Sequence, residues 1–165
     1  MKIRNAVLIA VLVVGITIDL VLKAVAVATL QMGTSLEVVP GFNFTLGYNP
    51  GIAFGMFPAQ SNFSKLLLTF VQVGLVAILG LCLVKSGDSL SRLGFALMVS
   101  GATANIIDRI MDGVVTDFVD LHWQGWHWPA FNLADAMICV GVAVLLFASF
   151  QKAGPRDEFS TRETT

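Results

Sequence analysis

The residues best able to do chemistry in this chain are aspartates set in or beside long apolar runs: Asp19, Asp108, Asp117 and Asp135. Ionisable groups in such surroundings are costly to keep, so each is a functional candidate by default. Asp19 and Lys23 are four residues apart, hence on one helical face, and can pair. Asn105, Asp108 and Arg109 follow spacings of three and four, which sets Asn105 beside both charges, and Asn132 and Asp135 are three apart. For Asp19–Lys23 and Asp108–Arg109, an ion pair that holds helices together accounts for the residues as well as any chemistry does. Asp117 and Asp135 differ, because neither has a basic residue within three positions. Two carboxylates brought together in a poorly solvated site cannot both ionise easily, so one keeps a proton. That state suits peptide hydrolysis: the ionised carboxylate takes a proton from water while the protonated one hydrogen-bonds the scissile carbonyl. Asp120, three residues after Asp117, stays open as a substitute that spacing does not exclude.

Other chemistries fit less well. His122 and His127 stand among Trp123, Trp126 and Trp128, without a Cys or Glu cluster to complete a metal site, so the segment reads as interfacial and no metal is expected. There is no GxSxG elbow, Walker motif or dinucleotide fingerprint. Cys82 and Cys139 both lie in apolar runs and read as free, packed thiols. A formal net charge of -1 argues against a nucleic-acid partner, which demands a clustered basic surface.

The elements that must position these residues are written in the composition. Of 165 residues, 56% are hydrophobic and 13% charged, too apolar for a soluble domain to cover its own surface. Four stretches, about 6–29, 63–84, 90–111 and 132–150, are long enough for helices crossing ~30 Å of hydrocarbon. The expectation is a single all-α membrane domain of four transmembrane helices with a small β-rich segment on the outer face. Lys2 and Arg4, Lys85 and Arg92, and Lys152, Arg156 and Arg162 flank the same side, which places both termini and the tail 152–165 in the cytoplasm. Ala24-Val25-Ala26 resembles a signal-peptide cleavage site, but Asp19 and Lys23 interrupt the approach to it and three more spans follow, so the first helix is read as retained.

The outer segments are then 30–62 and 112–131. The first alternates (Leu36, Val38; Phe42, Phe44, Leu46) between Pro and Gly turns and predicts short strands on the membrane surface. On this topology the polar residues above converge on one level, near the outer leaflet. A proton-coupled transporter would need polar residues through the full depth, whereas the inner halves of the spans are nearly devoid of charge. A membrane scaffold with structural ion pairs predicts instead that Asp117→Asn is tolerated.

Five segments stand in order along nearly the whole chain: Asp19-Leu20-Val21-Leu22-Lys23, Asn49-Pro50-Gly51-Ile52-Ala53-Phe54-Gly55, Asn105-Ile106-Ile107-Asp108-Arg109, Val115-Thr116-Asp117-Phe118 and Phe131-Asn132-Leu133-Ala134-Asp135. As a set they resemble the lipoprotein signal peptidase (signal peptidase II) family of membrane aspartyl proteases. Each motif alone is weak; the ordered set is specific. The resemblance implies a catalytic pair at Asp117 and Asp135, supported by Asp19, Lys23, Asn49, Gly51, Phe54, Asn105, Asp108, Arg109 and Asn132. It implies removal of the signal peptide from prolipoproteins on the amino side of a diacylglyceryl-modified cysteine, in the bacterial inner membrane. It also implies no metal or organic cofactor, membrane lipid as a partner, and inhibition by globomycin. Leu20, Leu22, Ser100 and Ala104 depart from the family's usual residues, so spans one and three are expected to pack differently.

Two expectations come from the residues themselves. Asp135 falls in the first turn of span four, where helix N-terminal NH groups favour the ionised form, leaving Asp117 as the proton holder. The loop from Asn49 to Phe57 carries Ala53, Phe54, Met56 and Phe57, an apolar surface suited to lie over the pair and cradle a lipid-modified substrate.

Overall fold

In the computed structural model, residues 5–51 and 62–152 are described, and four helices occupy the four apolar stretches. They are α1 (Asn5–Thr29), α2 (Asn62–Lys85), α3 (Ser89–Asp112) and α4 (Leu133–Lys152). Each is long and apolar enough to cross a membrane, and their exposed Leu, Val, Ile and Phe side chains form the lipid-facing belt. Residues 1–4 with Lys2 and Arg4, residues 153–165 with Arg156 and Arg162, and residues 52–61 with Phe54 lie outside the described residues. The expected apolar cover from Ala53 to Phe57 therefore lies outside them too.

The bundle is arranged around α3. Its mean hydropathy is 1.3 and 44% of its span is buried, against 2.6 and 6% for α2. Small residues explain the close approach of α3 and α4. A Cβ on Gly94 would stand 2.9 Å from the Gly141 carbonyl, and one on Gly141 would meet Gly94 O at 2.7 Å. Without a hydrophobic force between helices in lipid, such backbone proximity supplies the packing. Ser100, fully buried, aims its hydroxyl at the Leu12 carbonyl of α1 at 3.2 Å, filling the space left by Gly15. α3 starts at Asp88, whose side chain accepts the Ser91 N–H at 2.8 Å, and stops at Gly113, whose φ of 74° is left-handed.

The strands form one antiparallel layer in the order β1 (Ser35–Val39), β2 (Phe42–Asn49), β3 (Val115–Trp123), β4 (Trp126–His127). The 112–131 segment, which the sequence marks chiefly by its tryptophans, thus supplies half the sheet. The run Val115-Thr116-Asp117-Phe118-Val119 carries the β-branched residues that favour extended backbone. The β3–β4 turn is two residues, Gln124 and Gly125, with φ of 49° and 83°. Both values are left-handed, as a tight hairpin following the strand twist requires.

Register decides which residues share a face. Asn43 pairs with Asp120, Phe44 with Val119 and Gly47 with Asp117, so β2 gains one residue between Phe44 and Gly47. β3 keeps its alternation, which points Asp117, Val119, Leu121 and Trp123 one way and Asp120 and His122 the other. At the opposite end of the bundle, Arg92 donates to Asn5 at 2.7 Å and Lys152 pairs with Asp88, tying the α2–α3 turn to both ends of the described chain.

Candidate active site

At the sheet end of the bundle, the N-terminus of α4 is held by two side chains, Asn132 just before it and Asp19 from α1. Asn132 caps it: Asn132 Oδ1 accepts the Asp135 N–H at 2.9 Å, and Asp135 Oδ2 accepts the Asn132 N–H at 3.3 Å. This is a capping box made from Asn and Asp. Asp19, with no exposed surface, reaches across from α1 and accepts the Ala134 N–H at 2.7 Å. Two of the helix's orphan N–H groups are thereby satisfied.

Asn132 also joins the two aspartates. Its Nδ2 donates to Asp117 Oδ1 at 2.7 Å and to the Thr116 carbonyl at 3.3 Å, while its backbone holds Asp135. Asp135 Oδ1 accepts from Asn105 Nδ2 at 2.9 Å. Burial pushes the Asp117 carboxyl up to about 7, and the charge of Asp135 adds to the rise; donors on Asn132 and Asn49 and the Lys23 charge offset only part. The surroundings of Asp117 therefore favour its protonated form well above the ordinary carboxylate range.

Lys23 is the cation of this cluster. Its Nζ lies 2.8 Å from Asp19 Oδ2, 3.2 Å from Asp108 Oδ2 and 2.7 Å from Asn105 Oδ1, with the side chain 3% exposed. Through Asn105 it is one amide away from Asp135. Asp108 in turn accepts the Thr116 N–H at 2.7 Å, pinning the start of β3 to the end of α3.

Arg109 behaves differently from the sequence expectation of a pair with Asp108. Neighbours on a helix diverge by about 100°, and the Arg109 fork points to Gln72 Oε1 on α2 (2.7 Å) and to the Gly51 carbonyl (2.8 Å). Asn105 likewise bridges Lys23 and Asp135 rather than serving Asp108 and Arg109. Asn49 Oδ1 accepts the Gly51 N–H at 3.0 Å, a local turn that presents the Gly51 carbonyl to Arg109.

Of the residues singled out by spacing or resemblance, Asp19, Lys23, Asn49, Asn105, Asp108, Asp117, Asn132 and Asp135 meet in one polar cluster, and Arg109 with Gly51 forms its α2 side. Phe54 lies outside the described residues. Three contributors were missed. Thr116 serves through its peptide group, which no residue type signals. Gln72 is the one amide inside the α2 apolar run, and the rule that flagged the aspartates would have flagged it. Asn43 holds Asp120, and only strand pairing reveals it.

Asp120 stands apart from the pair. It accepts from Asn43 Nδ2 at 3.0 Å and bonds His127 Nδ1 at 2.9 Å, on the sheet face away from Asp117. Among the described residues no group of His, Cys, Asp and Glu is arranged to hold a metal ion. A hollow of about 390 Å³ beside Leu121, Trp126 and Trp128 lies at the far end of β3 and lacks the carboxylate pair.

Residues 10–151 match the family described as signal peptidase (SPase) II. The chain is 37% identical over 145 residues to a lipoprotein signal peptidase of Polynucleobacter necessarius, covering 87% of this chain and 89% of the relative. It is 38% identical over 134 residues to one of Shewanella baltica strain OS195, covering 80% and 78%. Two solved structures described as bacterial membrane enzymes superpose with TM-scores of 0.84 and 0.80 at 26% and 27% identity. The first covers 95% of both chains, the second 91% of this chain and 96% of its own.

Proposed function

The chain belongs to the signal peptidase II family of aspartic peptidases, and from that premise we propose that it removes signal peptides from prolipoproteins using Asp117 and Asp135 as a water-activating pair. The cut falls on the amino side of a diacylglyceryl-modified cysteine. The observation that carries this reading is Asn132, fully buried and bonded at once to the Asp117 carboxylate and to Asp135. Nothing in a purely structural ion pair calls for one residue to bond two carboxylates, Asp117 through its side-chain amide and Asp135 through its backbone N–H, without a cation directly between them.

The mechanism follows from the donors. Asp135 receives an amide N–H from Asn105 and a backbone N–H from Asn132, both of which favour its anion. Asp117, raised to about 7, holds the proton. Ionised Asp135 takes a proton from water as the water oxygen attacks the scissile carbonyl carbon, and Asp117 donates its hydrogen bond to the developing oxyanion. On collapse the leaving amine is protonated by the carboxyl that accepted the water proton. Lys23, shared between Asp19 and Asp108, forms with them a scaffold that orients Asn105 and the α4 terminus. In this reading the pair lies near the outer leaflet of the bacterial inner membrane with both termini in the cytoplasm. Globomycin would compete for the same site.

The test is cleavage of a diacylglyceryl-modified prolipoprotein by purified wild type, Asp117→Asn and Asp135→Asn, each checked for folding. Mass spectrometry of the product should show the lipid-bearing cysteine at the new N-terminus, from wild type alone. Near-normal turnover by either variant would make that aspartate structural and defeat the two-aspartate mechanism.

A further inference from the structure

The polar cluster extends to a helix that the two aspartates do not touch. α2 packs against α3, and its apolar run from Leu66 to Val84 holds a single amide, Gln72. An amide in that setting is costly unless it is bonded. Gln72 Oε1 accepts from Arg109 Nη1 at 2.7 Å. Arg109, only 5% exposed, sends its other amino group to the Gly51 carbonyl at 2.8 Å. Its Nε has no hydrogen-bond partner among the described residues. Two acceptors therefore hold the fork, and Gln72 is one of them.

From Gly51 the bonds continue to the pair. The Gly51 N–H donates to Asn49 Oδ1 at 3.0 Å, and the same Asn49 side chain bonds the Asp117 carboxyl. Strand register allows this. Asn49 stands opposite Val115, so Asp117, two residues on, is its diagonal neighbour on the same face of the sheet. The turn engages the oxygen of the Asn49 amide and leaves its nitrogen to face the carboxylate.

We propose that Gln72 is a positioning residue for the reaction: it anchors the Arg109 fork, the fork fixes Gly51, and Gly51 turns the Asn49 amide onto Asp117. Given the two-aspartate mechanism, on which this role rests, Gln72 brings in α2, the least buried helix of the bundle. It touches neither aspartate and acts on orientation alone.

Cutting the chain of bonds has a definite sign. The Asn49 bond favours the Asp117 anion and offsets part of the effect of burial and of Asp135. Its loss lets Asp117 keep its proton to higher pH. The other charges around Asp117 are Asp135 on α4, Lys23 bonded to Asp19 and Asp108, and Arg109. Of these, only Arg109 is released by the loss of Gln72, and withdrawal of its positive charge acts in the same direction.

The test is kcat and KM against pH for the purified full chain, with a diacylglyceryl-modified prolipoprotein as substrate. Wild type is compared with Gln72→Met, which keeps the length without the acceptor, and Gln72→Asn, whose amide is one carbon too short to reach Arg109. Both variants should lose about tenfold in kcat at neutral pH with little change in KM. Their alkaline limb should lie roughly half a unit to one unit above that of wild type. Thr69→Val, on the same face of α2 with its hydroxyl bonded to the Lys65 carbonyl, should change neither. In an Asn49→Ala background, where the chain of bonds is already broken, Gln72→Met should move the limb no further. A wild-type limb that neither Gln72 variant moves would make Gln72 a structural tie between α2 and α3 and overturn the proposal. So would an equal shift in Thr69→Val, or additive shifts in the double variant. Absence of any alkaline limb in wild type would instead defeat the two-aspartate mechanism itself, and the role of Gln72 with it.

Discussion

Asp117 and Asp120 lie three residues apart on β3, and the strand's two-residue alternation sends them to opposite faces of the sheet. Both are almost covered, at 5% and 6% exposure, and each is held by an asparagine amide, Asn132 for one and Asn43 for the other. Their carboxyls nevertheless move in opposite directions. Burial pushes both up, but at Asp120 the His127 and Asn43 hydrogen bonds and the nearby imidazoles more than offset it, leaving the carboxyl below its ordinary value. The His127 side chain is itself 56% exposed, so Asp120 sits one residue from water. Asp117 has instead the charge of Asp135 beside it, and it ends near 7. Coverage alone does not decide the proton; the sign and solvation of the neighbours do.

The largest expected difference between the faces is in catalysis. Asp117→Asn should lower the rate of prolipoprotein cleavage by roughly 10⁴-fold, the loss typical of removing an essential acid–base group, while Asp120→Asn stays within about threefold of wild type. Equal losses from the two variants, measured with purified protein, would erase the contrast. The paired amides sharpen it further. Asn132→Ala removes the group that orients both members of the pair and should reduce kcat by about 10²-fold, whereas Asn43→Ala should leave kcat unchanged.

Next in size is the response to pH. If Asp117 acts in its protonated form, cleavage should fall about tenfold per unit as pH rises beyond about 7, with the limb belonging to the coupled pair. Stability follows the same signs. Asp117 binds its proton more tightly folded than unfolded, so its contribution is greatest in acid and is lost as pH rises from about 4 through about 7. Asp120 has the reverse sign: its contribution is present above the ordinary carboxylate range and is lost as pH falls below it. In detergent, Asp117→Asn should therefore raise Tm above pH 7, and Asp120→Asn should lower it. The smallest effect is that of Asn43→Ala, about 1 kcal/mol for one lost hydrogen bond, read from chemical unfolding.

Much of this was legible before any coordinates. The four helices follow from apolar length, because lipid leaves backbone polar groups no other partner. Asp19, Lys23, Asn105, Asp108, Asn132 and Asp135 stood out because ionisable and amide groups are rare at such positions, and the structure draws them into one cluster. Partners were harder to read than residues. Asp108 and Arg109 are adjacent in sequence, yet one turns to Lys23 and Thr116 and the other to Gln72 and Gly51. Asp120 stayed open beside Asp117 because the segment around them was not read as a strand; once β3 is known, a spacing of three excludes a shared face.

By itself, then, the sequence determined the number and extent of the helices, the family, and which polar residues had to be accounted for. These depend on local hydropathy and on residue type, quantities that any window of chain contains. Only the tertiary structure decided that Asn132 serves both aspartates, that Asp19 caps a helix 115 residues away, and that the two faces of β3 are chemically distinct. Those outcomes rest on register and on helix packing at Gly94 and Gly141, which bring together groups whose separation along the chain carries no information about their distance in space.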